Sequence, residues 1–460
     1  MLNKLIKGIM GIILICIFFS QSLHITSIFA ILVFAAFMYV IYKIPMKEKY
    51  FIAILVLLVF FSRVLSIYWL QTPLESDFQT MFQISKELVE GNCSETSHNY
   101  MNTYSYQVPY ILYQAVLLFI SPELIFLKCL NVLYSIITIL LLYSIAKKIA
   151  SRGAARIVTA FYATMVFPIA YVNIISNQWI STISLLLGIR ILLANWNKHE
   201  NWKALVIGIC IGIAALLRPD AIVTVLAVVA YFIYLWINKK EKWKTYLKNI
   251  VIFIATYVVI TNGVMGIIQK SNLITNAEPD DYLWKFVLGL NSTSSGKWNL
   301  ADFNMVYDGS LTLQERKQLE LKLIKERITQ NNLLRLWKEK TNIYWNNFEY
   351  FWTVGYTQEI QILGKQIKTE DAIILARCID KTIWGAMVIF AFIGLFHKKK
   401  KAMILYAILI GSFLIYLWIE VQGRYAYYTD ILMCIIAALG IDVIVKYIHK
   451  RKKEKIHAED

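Results

Sequence analysis

Apolar runs long enough to approach the thickness of a lipid bilayer recur along nearly the whole chain, and they limit its fold more than any other feature. In hydrocarbon every backbone N–H and C=O must be satisfied within the protein, so such runs fold as helices. About twelve of them come near the ~20 residues that a bilayer core requires. They are Gly8–Leu23, Ile25–Tyr42, Tyr50–Leu70, Pro122–Ala146, Ala154–Ile175, Gln178–Trp196, Lys203–Leu217, Ala221–Ile237, Asn249–Ile268, Ala372–Phe396, Ala402–Ile419 and Ile431–Tyr447. Tyr110–Ile120 is apolar but too short to cross, which predicts an interfacial or re-entrant piece. With 58% hydrophobic and 17% charged residues, the composition excludes one soluble domain. The first run has a charged start and no convincing cleavage site, so it is read as a retained span. The chain is expected to be an all-α polytopic membrane protein.

A formal charge of +17 invites a nucleic-acid reading, which the distribution of that charge opposes. Lysine and arginine gather in alternate connections: Lys43/Lys47/Lys49, Lys147/Lys148/Arg152/Arg156, Lys198/Lys203, Lys239–Lys248, Lys398–Lys401 and the tail from Lys450. The positive-inside bias places these loops and both termini in the cytoplasm of a multi-pass protein of the cell membrane. The outer face then carries Leu70–Ser121, the Ser176–Asn177 corner, Arg218-Pro219-Asp220, Gln269–Asp371 and Glu420–Thr429. This divides the chain into an N-terminal hairpin (1–49), a core (50–268) with an outer loop (71–121), a long outer segment (269–371) and C-terminal spans with a basic tail (372–460). All cysteines but Cys93 lie in apolar segments, so no outer disulfide is expected. No Cys/His cluster has zinc spacing.

The outer stretch Pro73–Gly91 carries the acidic residues Glu75, Asp77, Glu87 and Glu90. Ser76 and Gln79 have the form of a capping box. Phe78, Met81, Phe82, Ser85 and Val89 follow at helical spacing, and Gly91-Asn92 is a C-terminal stop. Asp77 then falls in the first turn of a short helix, where the dipole favours its ionised form. Downstream comes a tyrosine-rich polar stretch, and Pro109 suits the first turn of the next helix. Thr312 and Glu315 form another capping box, opening an amphipathic helix with a Leu321/Ile324/Ile328 stripe. Trp345–Trp352 is aromatic, fitting a membrane belt, a sugar-stacking surface or a lipid contact. Arg63 lies deep in a span and either snorkels or meets an anion. In Arg218-Pro219-Asp220 the arginine either pairs with its neighbour or offers a planar donor fork to a phosphate. Near the C-terminus Gly423-Arg424-Tyr425 caps a span, with Glu420 four residues before Arg424 and able to pair with it along a helix.

In this order the features resemble the glycosyltransferase C superfamily, specifically bacterial relatives of the dolichyl-phosphate-mannose–protein mannosyltransferases. Ser76-Asp77-Phe78 through Ser85, Leu88 and Gly91 is similar to the family pattern in which an aspartate opens the first outer helix. Val108-Pro109-Tyr110 stands where the family has a His-Pro-Pro-Leu-like motif. Leu217-Arg218-Pro219 and Gly423-Arg424-Tyr425 resemble further landmarks. Where many members carry a second acidic residue after the aspartate, this chain has Phe78. The resemblance implies a fold with extracytoplasmic juxtamembrane helices and an enzyme that takes a sugar from a polyprenyl-phosphate carrier to an extracytoplasmic glycan, lipid or protein. Asp77 is then the expected general base of a single inverting displacement. Arg424, with Arg218 or Arg63 as alternatives, is expected to stabilise the phosphate of the leaving carrier. Glu75, Tyr425, Asn177 and Gln178 complete the expected substrate-contacting set. No cofactor is required, and Asp77 with Glu75 makes a poor divalent-cation site. A polysaccharide polymerase or ligase, or a transporter of lipid-linked sugar, remains the alternative reading.

Overall fold

The computed structural model describes every residue except 1, 21–24, 71, 195–200, 239–242, 275–281, 347, 355–358, 363–364 and 460. The chain opens with three long helices, α1 (Leu2–Ser20), α2 (Ile25–Lys43) and α3 (Glu48–Leu70). Three short ones follow: α4 (Ser76–Glu90), α5 (Glu95–Thr103) and α6 (Val108–Ile120). Then come α7 (Leu124–Ile149), α8 (Arg152–Thr164), α9 (Val166–Tyr171), α10 (Gln178–Leu192), α11 (Trp202–Leu217), α12 (Ile222–Asn238) and α13 (Trp243–Lys270). A lobe away from the basic connections holds α14 (Tyr282–Gly289), α15 (Leu300–Val306), α16 (Leu313–Gln330), α17 (Leu333–Asn346) and α18 (Phe351–Val354). It ends in an antiparallel hairpin of β1 (Glu359–Ile362) and β2 (Lys365–Lys368), with Glu359 opposite Lys368. The chain closes with α19 (Thr369–Gly394), α20 (Met403–Tyr416) and α21 (Tyr427–Glu459).

The protein is all-α and polytopic. Six helices among the described residues are long and apolar enough to cross a membrane: Leu2–Ser20, Glu48–Leu70, Leu124–Ile149, Pro219–Asn238, Trp243–Lys270 and Gly423–Arg451. That is fewer than the runs counted from the sequence, because several runs fold into shorter pieces. Gln178–Leu192 and Trp202–Leu217 have 15 and 16 residues. The expected span Ala154–Ile175 is broken at Met165, whose backbone is extended. Arg63 and Asp380 explain how the break is tolerated. Arg63, fully buried, donates to the carbonyls of Tyr162 (3.2 Å) and Ala163 (3.5 Å) and to the Ser135 hydroxyl (3.2 Å). The Asp380 carboxylate accepts from the backbone N–H of Val166 (2.7 Å) and Phe167 (2.8 Å), with the Tyr350 hydroxyl as a third donor. The carbonyl end of α8 thus meets a cation and the amide end of α9 meets an anion, as the exposed backbone groups demand. Arg63 is committed here and not at the outer face.

The connections fall into two sets. On the basic set, Lys7 donates to the His397 carbonyl (2.7 Å), Arg156 to the Met46 carbonyl (2.6 Å), and Lys43 meets His449 (2.6 Å). Both ends of the chain therefore share a face with the lysine-rich loops. Close to the basic face, α19 and α21 cross where Gly394 and Gly440 meet. A Cβ on Gly440 would lie 1.8 Å from the Phe390 carbonyl oxygen, so only glycine permits this approach.

The lobe of α14–α18 is tied to the segment that precedes α21. Glu420 N–H donates to the Lys285 carbonyl (2.8 Å) and Val421 N–H to the Gly296 carbonyl (2.9 Å). Gly289 abuts this segment, with a Cβ there falling 2.2 Å from the Trp418 carbonyl oxygen. Lys340, 1% exposed, donates to the carbonyls of Gly289 (2.6 Å) and Ile419 (2.7 Å). Burial pushes the Lys340 ammonium down to about 7, with the Glu420 charge opposing the shift. Above that value the folded chain has released a proton that the unfolded chain still holds, up to the ordinary lysine range, so this group makes stability rise with pH across that window. Lys340→Met is expected to lower the melting temperature of the detergent-solubilised protein. It also flattens the rise between pH 7 and 9, as differential scanning fluorimetry at each pH reports.

Candidate active site

The site is built on the first turn of α4. Glu75 is its N-cap, with extended backbone and no side-chain cap bond, so the expected Ser76/Gln79 capping box does not form. Ser76 instead adopts φ +54°, a left-handed conformation that is strained for a side chain other than glycine. The far end is as expected: Gly91 at φ +72° closes the helix, with Asn92 N–H on the Glu87 carbonyl (3.0 Å). Asp77 is exposed in the first turn, and Phe78 behind it is buried. Helix α6 braces α4 from below, where Ser85 donates to the Ile111 carbonyl (3.0 Å). As expected, Pro109 sits in the first turn of α6.

Arg424 reaches the same turn from the other end of the chain. Its guanidinium lies 5.0 Å from the Phe78 ring and 4.4 Å from the Trp352 ring, and those two rings meet edge to face at 5.7 Å. Cation–π contacts of this kind fix the plane of the guanidinium. Its Nη1 is buried and has no hydrogen-bond partner. The backbone is held on both sides: the Arg424 carbonyl accepts from Gln178 Nε2 (2.6 Å), and its N–H donates to Glu349 (3.4 Å). The predicted Glu420–Arg424 helical pair is not formed, because residues 420–422 are not helical. Glu420 pairs instead with Lys285 (2.6 Å) and accepts from Gln422 (2.8 Å). Burial works against both charges of this pair, and their mutual attraction outweighs it, so Lys285 is raised and Glu420 lowered.

Arg218 is close by but already occupied. It grips Asp220 through Nε (3.1 Å) and Nη2 (2.9 Å) and reaches Asn177 Oδ1 at 3.4 Å. Burial disfavours its charge, and Asp220 more than offsets this. Asn177 donates in turn to the Leu217 carbonyl (2.8 Å). Tyr425 lies between the two arginines, its ring 5.5 Å from Arg218 and 5.8 Å from Arg424. A small pocket opens here, lined by Gln178, Arg218, Asp220, Tyr416 and Tyr425. On the Asp77 side stands a tyrosine cluster, with Tyr100 and Tyr104 4.9 Å apart and Tyr104 and Tyr106 6.3 Å apart. Burial and then the Asp77 charge push the Tyr100 phenol up, which keeps its proton in place beside the carboxylate.

Of the residues expected from the sequence, Asp77, Glu75, Arg424, Tyr425, Arg218, Asn177 and Gln178 fall in this region, on the face away from the basic connections, and Arg63 does not. Asn177 and Gln178 act on the backbones of Leu217 and Arg424. Three further residues were not singled out from the sequence. Trp352 stood within an aromatic run that fits a membrane belt equally well. Glu349 sat unremarked beside it. Lys285 lies in α14, inside the long segment 269–371 in which no charged pair was expected.

The sequence profile of the family described as dolichyl-phosphate-mannose-protein mannosyltransferase matches residues 105–264, from the turn before α6 to within α13. That match covers about a third of the chain and makes this stretch similar to the family. Among solved structures, the oligosaccharyltransferase AglB of Archaeoglobus fulgidus, in complex with an inhibitory peptide and a dolichol-phosphate, aligns with 89% of this chain and 52% of its own, at 12% identity and a TM-score of 0.46. The apo form of the Archaeoglobus fulgidus oligosaccharyltransferase aligns with 90% of this chain and 52% of its own, at 13% identity and a TM-score of 0.49. The chain spans about half the length of those structures. No curated protein matches it significantly.

Proposed function

We propose that this protein is an integral-membrane glycosyltransferase that moves a monosaccharide from a polyprenyl-phosphate carrier to an acceptor on the extracytoplasmic side. The observation that carries this reading is the buried, unpartnered Nη1 of Arg424, packed through Phe78 against the turn that bears Asp77. A buried donor on a charged group is costly to leave unmade, and a phosphate oxygen satisfies it. The matched family description, with its polyprenyl-phosphate-linked mannose, supports the same donor class. The basic face is the cytoplasmic one, so the site opens where nucleotide sugars are not expected and a lipid-borne donor is.

In this mechanism Arg424 takes the phosphate of the carrier and offsets the charge that grows on it as the sugar–phosphate bond breaks. Asp77, exposed to the acceptor side, removes the proton of the incoming hydroxyl, which attacks the anomeric carbon from the face opposite the phosphate. One displacement inverts configuration. Tyr100, held neutral, donates to the carboxylate or to a sugar oxygen. Arg218, neutralised by Asp220, shapes the cavity wall beside Tyr425, and no step requires a metal. Incubating purified protein with radiolabelled polyprenyl-phosphate mannose, glucose or arabinose tests the reading. Release of free polyprenyl phosphate coupled to a labelled product is expected; movement of intact labelled lipid across vesicles without its cleavage would establish a transporter instead. The broken α8/α9 helix is the feature a transporter would share. Here its exposed backbone groups are already taken by Arg63 and Asp380.

A further inference from the structure

Two cations of α19 take no part in the site above. Arg377 and Lys381 stand four residues apart, so their side chains are neighbours on the helix surface. Arg377 is half-buried on the stripe that also carries Asp380 and Trp384, and its Nε is shut off from water with no hydrogen-bond partner. The Asp380 carboxylate, one turn on, is already taken by Val166, Phe167 and Tyr350. Glu370 and Asp371 lie ~10 Å further up the helix axis, and neither forms an ion pair with Arg377 among the described residues. Lys381 is exposed, and it too has neither ion pair nor hydrogen bond among the described residues.

The helix fixes the depth of both groups. α19 ends at Gly394, beside the basic stretch Lys398–Lys401. Arg377 stands ~26 Å along the axis from that end and Lys381 ~20 Å. A hydrocarbon core is ~30 Å thick, so the pair lies near its far edge. Helical side chains tilt toward the helix N-terminus, so both cationic heads lean toward the layer of lipid phosphates in the leaflet away from the basic connections. The flank beside them faces hydrocarbon, with Ile374 58% and Leu375 63% exposed. Snorkelling to water accounts for Lys381 alone. It leaves the sealed Nε of Arg377 unmade, a costly state for a donor on a charged group, and an anionic oxygen relieves it. We propose that Arg377 and Lys381 together bind the phosphate group of a lipid in that leaflet, one oxygen accepting from Arg377 Nε. Two lipids offer such a group: a phospholipid, and the polyprenyl phosphate of the reaction proposed above. Position favours the second, which rests on that reading. The Arg377 charge reaches the Tyr350 phenol, two residues from the Trp352 ring on which Arg424 lies.

The full chain in dodecyl maltoside, a detergent without phosphate, is photolysed with one of three lipids that carry a diazirine beside the headgroup: phosphatidylglycerol, polyprenyl phosphate, or diacylglycerol as the phosphate-free control. Labelled peptides are mapped by mass spectrometry. At least one phosphate-bearing probe is expected to label Thr369–Gly394 about tenfold above diacylglycerol, the worth of a hydrogen bond to a charged group. That labelling falls by a similar factor in Arg377→Gln and in Lys381→Gln. Lys381 is exposed, so its variant keeps the test open even where Arg377→Gln destabilises the fold; melting temperatures monitor both. Unlabelled polyprenyl phosphate and phosphatidylglycerol are then set to compete. Whichever displaces the label at lower concentration is the occupant, and either result supports a phosphate site. Sugar transfer is not measured, so this outcome stands apart from that of the radiolabel assay. Equal labelling by diacylglycerol and the phosphate probes, or labelling unchanged in Lys381→Gln and in a folded Arg377→Gln, would overturn the proposal.

Discussion

Asp77→Asn is expected to abolish sugar transfer while the protein expresses, inserts and melts as before. The side chain is exposed and takes no part in capping α4, so its replacement by an isosteric amide removes no described hydrogen bond. What it removes is the only feature of that position that chemistry needs: a group that can accept a proton from a hydroxyl. General-base contributions are on the order of 10²–10⁴-fold, and an amide supplies none of this. A loss of at least about 10³-fold in turnover is therefore expected, with the KM for the lipid donor little changed, because the proposed mechanism gives the phosphate to Arg424 and not to Asp77. Radiolabel transfer under donor saturation, with size-exclusion profile and melting temperature as controls, separates this from misfolding. Turnover within tenfold of the parent would remove Asp77 from the mechanism and leave the Ser76 strain without a functional partner.

Much of this site was legible in the sequence because its signals are local. A proline at the start of α6, a glycine at the end of α4 and the Thr312/Glu315 capping box each act within a turn or two, and each stands where expected. Alternation of basic loops told which connections belong together, which is why residues near 77, 177, 218 and 424 could be assigned to one side. What could not be read is pairing across the chain. Arg63 looks like a substrate ligand until the break in a different helix supplies carbonyls for it. Glu420 looks like the helical partner of Arg424 until α14 brings Lys285 to it from far away in sequence. The break itself leaves little trace in hydropathy, since both halves are apolar; the extended Met165 is set by Arg63 and Asp380, not by its own neighbours. Likewise the Ser76/Gln79 pattern predicts a capping box, yet the chain enters α4 with Ser76 left-handed, so the local preference is overridden.

Arg424→Ala is the second change expected to abolish the proposed sugar transfer, and comparison with Arg424→Lys says why. Alanine removes the buried donor and empties the space between Phe78 and Trp352. Loss of one preorganised donor to a developing anion costs on the order of 10²–10³-fold in kcat. Lysine keeps the charge but not the planar fork that lies against two rings and presents Nη1 inward. If the arginine is a shaped phosphate contact, lysine is expected to recover at most about tenfold of what alanine loses, and the KM for the polyprenyl-phosphate donor rises in both. Were the arginine only a packing element between the rings, Arg424→Met, which fills much of the same volume without charge, would keep activity close to that of the parent. The three substitutions therefore divide charge, shape and packing, and steady-state kinetics with one lipid-linked donor measure all of them. Equal activity in lysine and arginine proteins would show that a point charge suffices, and the buried Nη1 would then lose its role as the atom that recognises the donor.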